Sequence, residues 1–148
     1  MKFKNIINEN KQIGIIYHFT TVYNTINILQ ENIINAIITN GISFTRNPDF
    51  YKYPRDGIIT SVKITVDGNK LSNKYKIKPY NFFPDKYTHY LKFDEDEELV
   101  LTKEITNFRS YIKNVTLVKE TNAESLVELK QTCKNYNIPF YNFKNKGY

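Results

Sequence analysis

The chain has 148 residues, 41% apolar and 15% aromatic, which suits a single domain over 1–148 built on one sizeable core, with no second domain expected. Its formal net charge of +6 and pI near 9.2 favour an anionic partner as readily as simple solubility, because the lysines are scattered while acids gather in "DEDEE" at 94–98. Cys133, the single cysteine, excludes an internal disulfide, and the absence of any Cys/His cluster at zinc spacing points to a reducing, cytoplasmic setting with no metal.

The opening "MKFKNIINENKQIGII" mixes lysines, asparagines and Glu9, so it lacks the continuous apolar region of a signal peptide. Nowhere does an apolar run approach the ~20 residues that span a bilayer, so no membrane partner is expected. "IGIIYHF" then reads as a strand with Ile13, Ile15, Tyr17 and Phe19 on one face, anchoring it in the core. Ile16 and His18 fall on the other face, with His18 at the lip of a cleft. Thr20 or Thr21 can cap a helix in which Val22, Ile26 and Leu29 recur at helical spacing, with Ile33 one turn further.

Gly41 breaks the chain before a short strand, "ISFTRNP", which Pro48 must end or confine to an edge. "IITSVKITVDG" is the clearest strand, with Ile58, Val62, Ile64 and Val66 facing one way and Asp67-Gly68 supplying a turn. A short helix and a long Tyr/Lys-rich loop are expected through "NKLSNKYKIKPYNFFPDKYTHY". "ELVLTKEI" and "YIKNVTLV" read as two further strands. Thr121 with Glu124 forms a capping box for a helix whose inner face is Leu126, Leu129, Cys133 and Tyr136, and "IPFYNF" closes the sheet. Several short strands with two clearly helical segments make an α+β fold of two small packed sheets flanking a cleft.

Three polar groups stand at strand ends: His18-Phe19-Thr20, Ser43-Phe44-Thr45-Arg46, and Glu97-Glu98. Singly, each has an ordinary structural explanation, such as a satisfied histidine, strand hydroxyls or a solvated acidic run. Together, a titratable ring, hydroxyls with a guanidinium and a carboxylate can converge on one cleft between sheets.

These residues carry a resemblance. "YHFTTVYNTINILQENII" resembles the opening motif of DarT-type ADP-ribosyltransferases, and the related tRNA 2′-phosphotransferases have a comparable strand-helix opening. "ISFTRN" is similar to that family's second strand, and "EELVLTKEI" to the strand that begins with its catalytic Glu. Small phage-encoded proteins of the superfamily have a stretch similar to "DGNKLSNKYKIKPYNFF" between the second and third motifs; the likeness covers roughly 13–118. It implies an ADP-ribosyltransferase-like split β-sandwich with a few flanking helices. It also implies NAD as a substrate and transfer of ADP-ribose to a nucleic acid, a protein or water, in a phage host-takeover, anti-defence or toxin role. On that resemblance Glu98, or Glu97 one register step away, is catalytic. His18 and Thr20 meet the ribose or amide, Ser43 and Thr45 the ribose or the carboxylate, Arg46 the pyrophosphate, and Tyr51 or Tyr53 the nicotinamide ring. Two other classes stay open: a non-catalytic domain of the same fold that binds a ligand or partner, and a basic nucleic-acid binder using Lys74, Lys76 and Lys78.

Overall fold

A computed structural model describes residues 13–36, 41–49, 60–79 and 97–143. The first strand, β1 (Ile15–Thr20), lies near the middle of the main sheet. Its even positions, Ile16, His18 and Thr20, stand opposite Val66, Ile64 and Val62 of β4 (Val62–Asp67). Those three β4 side chains and Ile16 are fully buried, so this is the face that carries the core. The sequence pattern assigns the core to the other face, and the structure reverses it. Gly14, at φ +70°, breaks the alternation, so Ile13 enters the core while Ile15 turns outward at 39% exposure. Tyr17 and Phe19 are half-buried, and the Lys63 ammonium lies 5.3 Å from the Tyr17 ring centroid.

Helix α1 (Val22–Glu31) follows β1 at once. Thr21 is its N-cap, with Oγ1 accepting from Asn24 N at 3.0 Å. Val22, Thr25, Ile26 and Leu29 form its buried stripe. Asn32 ends it in the left-handed region at φ 60°, so Ile33 begins a strand instead of extending the helical face. That strand, β2 (Ile33–Asn35), pairs with β7 (Glu104–Thr106) in a separate two-stranded sheet. Ile34 and Ile105 face each other there, and both are buried in the common core.

Among the described residues the main sheet has seven strands in the order β5-β6-β3-β1-β4-β8-β9. Here β3 is Ile42–Thr45, β5 Ile77–Pro79, β6 Glu97–Val100, β8 Ile112–Leu117 and β9 Phe140–Asn142. Among the described strands only β8 and β9 run parallel, and α3 (Ala123–Asn135) makes the crossover between them while packing on α1. Burying each of Leu29, Ile64, Phe108 and Leu129 contributes roughly 1.5–3 kcal/mol. The architecture is α+β, as the pattern of short strands and two amphipathic helices implies.

Other boundaries also differ from the sequence reading, and the expected loop after the short helix contains the strand β5. Asp67-Gly68 is not a hairpin turn; Asp67 caps a short helix, α2 (Gly68–Ser72), accepting from Lys70 N at 3.1 Å. "ELVLTKEI" is two strands, because the chain turns at Thr102, whose N–H donates to the Val100 carbonyl at 2.9 Å. The cap of α3 is Asn122, accepting from Ser125 N at 2.7 Å, one residue beyond the expected Thr121. Asn is at least as strong an N-cap as Thr, and Glu124 still sits in the first turn, where the helix dipole favours it. Ile58 and the rest of the expected loop, beyond Pro79, lie outside the described residues.

The start of α2 is fitted against the start of β1. Gly68 N donates to the Gly14 carbonyl at 2.8 Å, and a Cβ on Gly68 would stand 2.5 Å from that oxygen and 2.6 Å from Ile13 Cγ2. Gly68→Ala therefore forces backbone to move and is expected to cost about 1–3 kcal/mol in denaturant unfolding. An unchanged midpoint would show that this approach is not tight.

Candidate functional site

Pairing between β1 and β3 is confined to Tyr17↔Thr45. Towards the Thr20 end of β1, a cleft of about 430 Å³ opens, lined by His18 and Thr20 on one strand and by Ile42 and Ser43 on the other. Its far wall is α1, which presents Asn24, Asn27, Ile28 and Glu31, and the chain from Ile33 to Ala36 completes the lining with Gly41.

His18 bridges the open seam. Its Nδ1 lies 3.1 Å from the Ser43 carbonyl, and its ring is tilted against Phe44 with centroids 5.5 Å apart. A carbonyl only accepts, so Nδ1 carries the ring proton and the neutral ring keeps an acceptor lone pair on Nε2. Burial pushes the His18 pKa below its ordinary 6.5, opposed less strongly by the bond to Ser43. The ring is therefore neutral near pH 7. Beside it, Thr20 Oγ1 accepts from Asn24 Nδ2 at 3.2 Å, which ties the strand end to the first turn of α1.

The structure thus brings together His18, Thr20 and Ser43. Thr45 is buried at 4% exposure away from this lining, and its Oγ1 accepts from Asn47 N at 3.1 Å, so its hydroxyl shapes the bend after β3. Arg46 is exposed on that bend and is also not among the lining residues. Glu97 and Glu98 stand in β6 at the register positions opposite Thr45 and Phe44. Tyr51 and Tyr53 lie outside the described residues. Sequence reasoning missed the α1 wall. Its signal was present in Asn24, Asn27 and Glu31, whose spacing puts three polar side chains on one side of an otherwise apolar-striped helix.

Neutral amides, hydroxyls, an imidazole acceptor and one carboxylate around an apolar floor suit a ligand rich in hydroxyl and amide groups. No protein-family model matches the sequence. No curated protein matches it either. In three dimensions the chain is similar to Thermus sp. 2.9 DarT in complex with NAD⁺, with TM-score 0.54 and 11% identity over 93% of this chain and 98% of that one. It is likewise similar to Thermus sp. 2.9 DarT in complex with carba-NAD⁺, with TM-score 0.53 and 11% identity over 88% of this chain and 95% of that one. The fold is ADP-ribosyltransferase-like.

The His18 environment has a pH consequence. The unfolded chain takes up the imidazole proton near 6.5, whereas the folded chain does so only at lower pH. The stability linked to His18 is therefore complete above 6.5 and falls as pH drops from there towards the folded value. An NMR titration of the ring should show a midpoint below 6.5. A midpoint at or above 6.5 would contradict the desolvated, Ser43-bonded ring.

Proposed function

We propose that the chain is an NAD-dependent mono-ADP-ribosyltransferase that passes ADP-ribose to a nucleic acid or protein, with water as the default acceptor in their absence. One observation carries this reading: a His-bridged cleft opens at the unpaired end of the β1–β3 seam, in a fold similar to proteins solved with NAD⁺ and carba-NAD⁺. In this reading residues 1–148 form a single domain. The sequence resemblance suggests a phage host-takeover, anti-defence or toxin role for the same activity.

The transfer breaks the bond between nicotinamide nitrogen and ribose C1′, and the nitrogen leaves with the bonding pair. C1′ then carries cationic, oxocarbenium-like character until the acceptor bonds to it and gives up a proton. Catalysis needs negative charge placed against that cation and a rigid hold on the ribose. Between the two acids, strand register favours Glu98. Position 98 pairs with Phe44, whose ring meets His18, so alternation places 98, 44 and 18 on one face of the sheet. Position 97 pairs with Thr45, and Thr45 with Tyr17, on the opposite face.

In this reading Glu98 accepts from the ribose 2′-hydroxyl, stabilises the cation and polarises the nucleophile. Nε2 of neutral His18 accepts from a ribose hydroxyl, while Ser43 and Thr20 frame the same end of the cleft. The resemblance assigns Arg46 to the pyrophosphate and Tyr51 or Tyr53 to nicotinamide, but Arg46 follows Thr45 at the paired end of the seam, outside the cleft lining, so the proposed dinucleotide path does not run through it. A second reading concerns the outer surface. Lys74, Lys76 and Lys78 are exposed, and the Lys74 and Lys70 ammonium groups lie 5.7 Å from the ring centroids of Tyr75 and Tyr111, a combination that suits a polyanionic acceptor.

Glu98→Gln keeps size and hydrogen bonding but removes the charge. NAD⁺ should still bind while turnover falls by about 10²-fold or more, and Glu97→Gln should leave turnover within a few-fold. Wild-type protein that neither binds nor consumes NAD⁺, with a lysate supplying acceptors, would overturn the transferase reading. The reverse ranking of the two variants would move the carboxylate to Glu97.

A further inference from the structure

Glu31 occupies an unfavourable place for a carboxylate. It ends α1, whose last turn holds no basic residue, so its negative charge sits at the negative end of the helix dipole. Among the described lining residues of the cleft it is the one formal charge, since His18 is neutral. It also shares a helix side with Asn24 and Asn27, and from Asn24 to Glu31 the helix rises about 10 Å. One end of this polar wall is joined to Thr20 beside His18, and the other end is Glu31.

We propose that Glu31 is the specificity residue of the cleft: its carboxylate accepts from the adenosine-ribose diol of NAD⁺ and repels a 2′-phosphate, so that NADP⁺ is rejected. The inference rests on the reading of the cleft as an NAD site. There, the reacting ribose lies at the His18 end, and the second ribose of a dinucleotide lies one diphosphate away, which is the scale of the α1 wall. A vicinal diol offers two O–H donors, and a carboxylate offers two acceptor oxygens, a pairing that dinucleotide sites of other folds also use. A 2′-phosphate brings acceptors and like charge instead, with no cation among the described lining residues to offset it.

The test is calorimetric titration of NAD⁺ and NADP⁺ into the wild type, Glu31→Gln and Glu31→Lys, with thermal melts of all three. The wild type should prefer NAD⁺ by about tenfold or more, Glu31→Gln should bring the ratio towards unity, and Glu31→Lys should invert it. Both variants should melt no lower than the wild type, because the helix end loses an unfavourable charge. That combination separates a specificity role from a structural one. Equal binding of the two dinucleotides by the wild type, or a preference that survives in Glu31→Gln, would overturn the proposal while leaving the NAD site standing. Wild-type protein that binds neither would overturn both.

Discussion

The hydrogen bond from His18 Nδ1 to the Ser43 carbonyl bridges the seam between β1 and β3, where the paired register is Tyr17↔Thr45. A continuous ladder would satisfy the backbone more simply, at a net gain of about 0.5–1.5 kcal/mol per bond, but it would close the space that the cleft occupies. The side-chain bridge lets the seam stay open while fixing its width. It also sets the tautomer, so one ring nitrogen serves the fold and the other keeps its acceptor lone pair. Desolvation of the ring keeps that second nitrogen unprotonated near neutral pH.

The opposite wall depends on a comparable fixture at the other end of α1. Asn32 N donates to the Ile28 carbonyl at 2.9 Å, and its Nδ2 lies 3.3 Å from Asn107 Oδ1. Its Oδ1 accepts from Arg109 N at 2.8 Å and its carbonyl from Phe108 N at 3.1 Å. The left-handed turn at this one residue sends the chain from helix into β2, which aims Glu31 and the Ile33–Ala36 segment at the cleft. Phe108, fully buried and 6.4 Å from Phe44 by ring centroids, connects this hub to the strand that faces His18. The two walls are thus tied into one core.

Much of this was legible in the residues, and the failures have physical causes. Helical spacing of Val22, Ile26 and Leu29 located α1, and alternation located β4, because both segments bury one regular face. The core face of β1 was misread because alternation shows only that two faces differ; Gly14 shifts the phase, and β-branched residues occupy both sides. The break between β6 and β7 at Thr102 and the stop at Asn32 were hidden because neither uses Gly or Pro. In this Asn-rich chain, Asn32, Asn107 and Asn137 take the left-handed positions. His18, Thr20 and Ser43, which line the cleft, stand out from strand-end chemistry and family resemblance, while Asn24, Asn27 and Glu31 read as ordinary helix surface. The register that separates Glu98 from Glu97 needs the partner strand, which no single segment of sequence contains.

The central claim is that the seam between β1, β3 and α1 is a dinucleotide site. Titrating NAD⁺ into isotopically labelled protein and following backbone and side-chain resonances tests it most directly. Saturable shifts at His18, Asn24, Asn27 and Ser43, with the surface around Lys70, Lys74 and Tyr75 unaffected, are the predicted result. Shifts confined to that lysine and tyrosine surface, or none at all at millimolar NAD⁺, would contradict it.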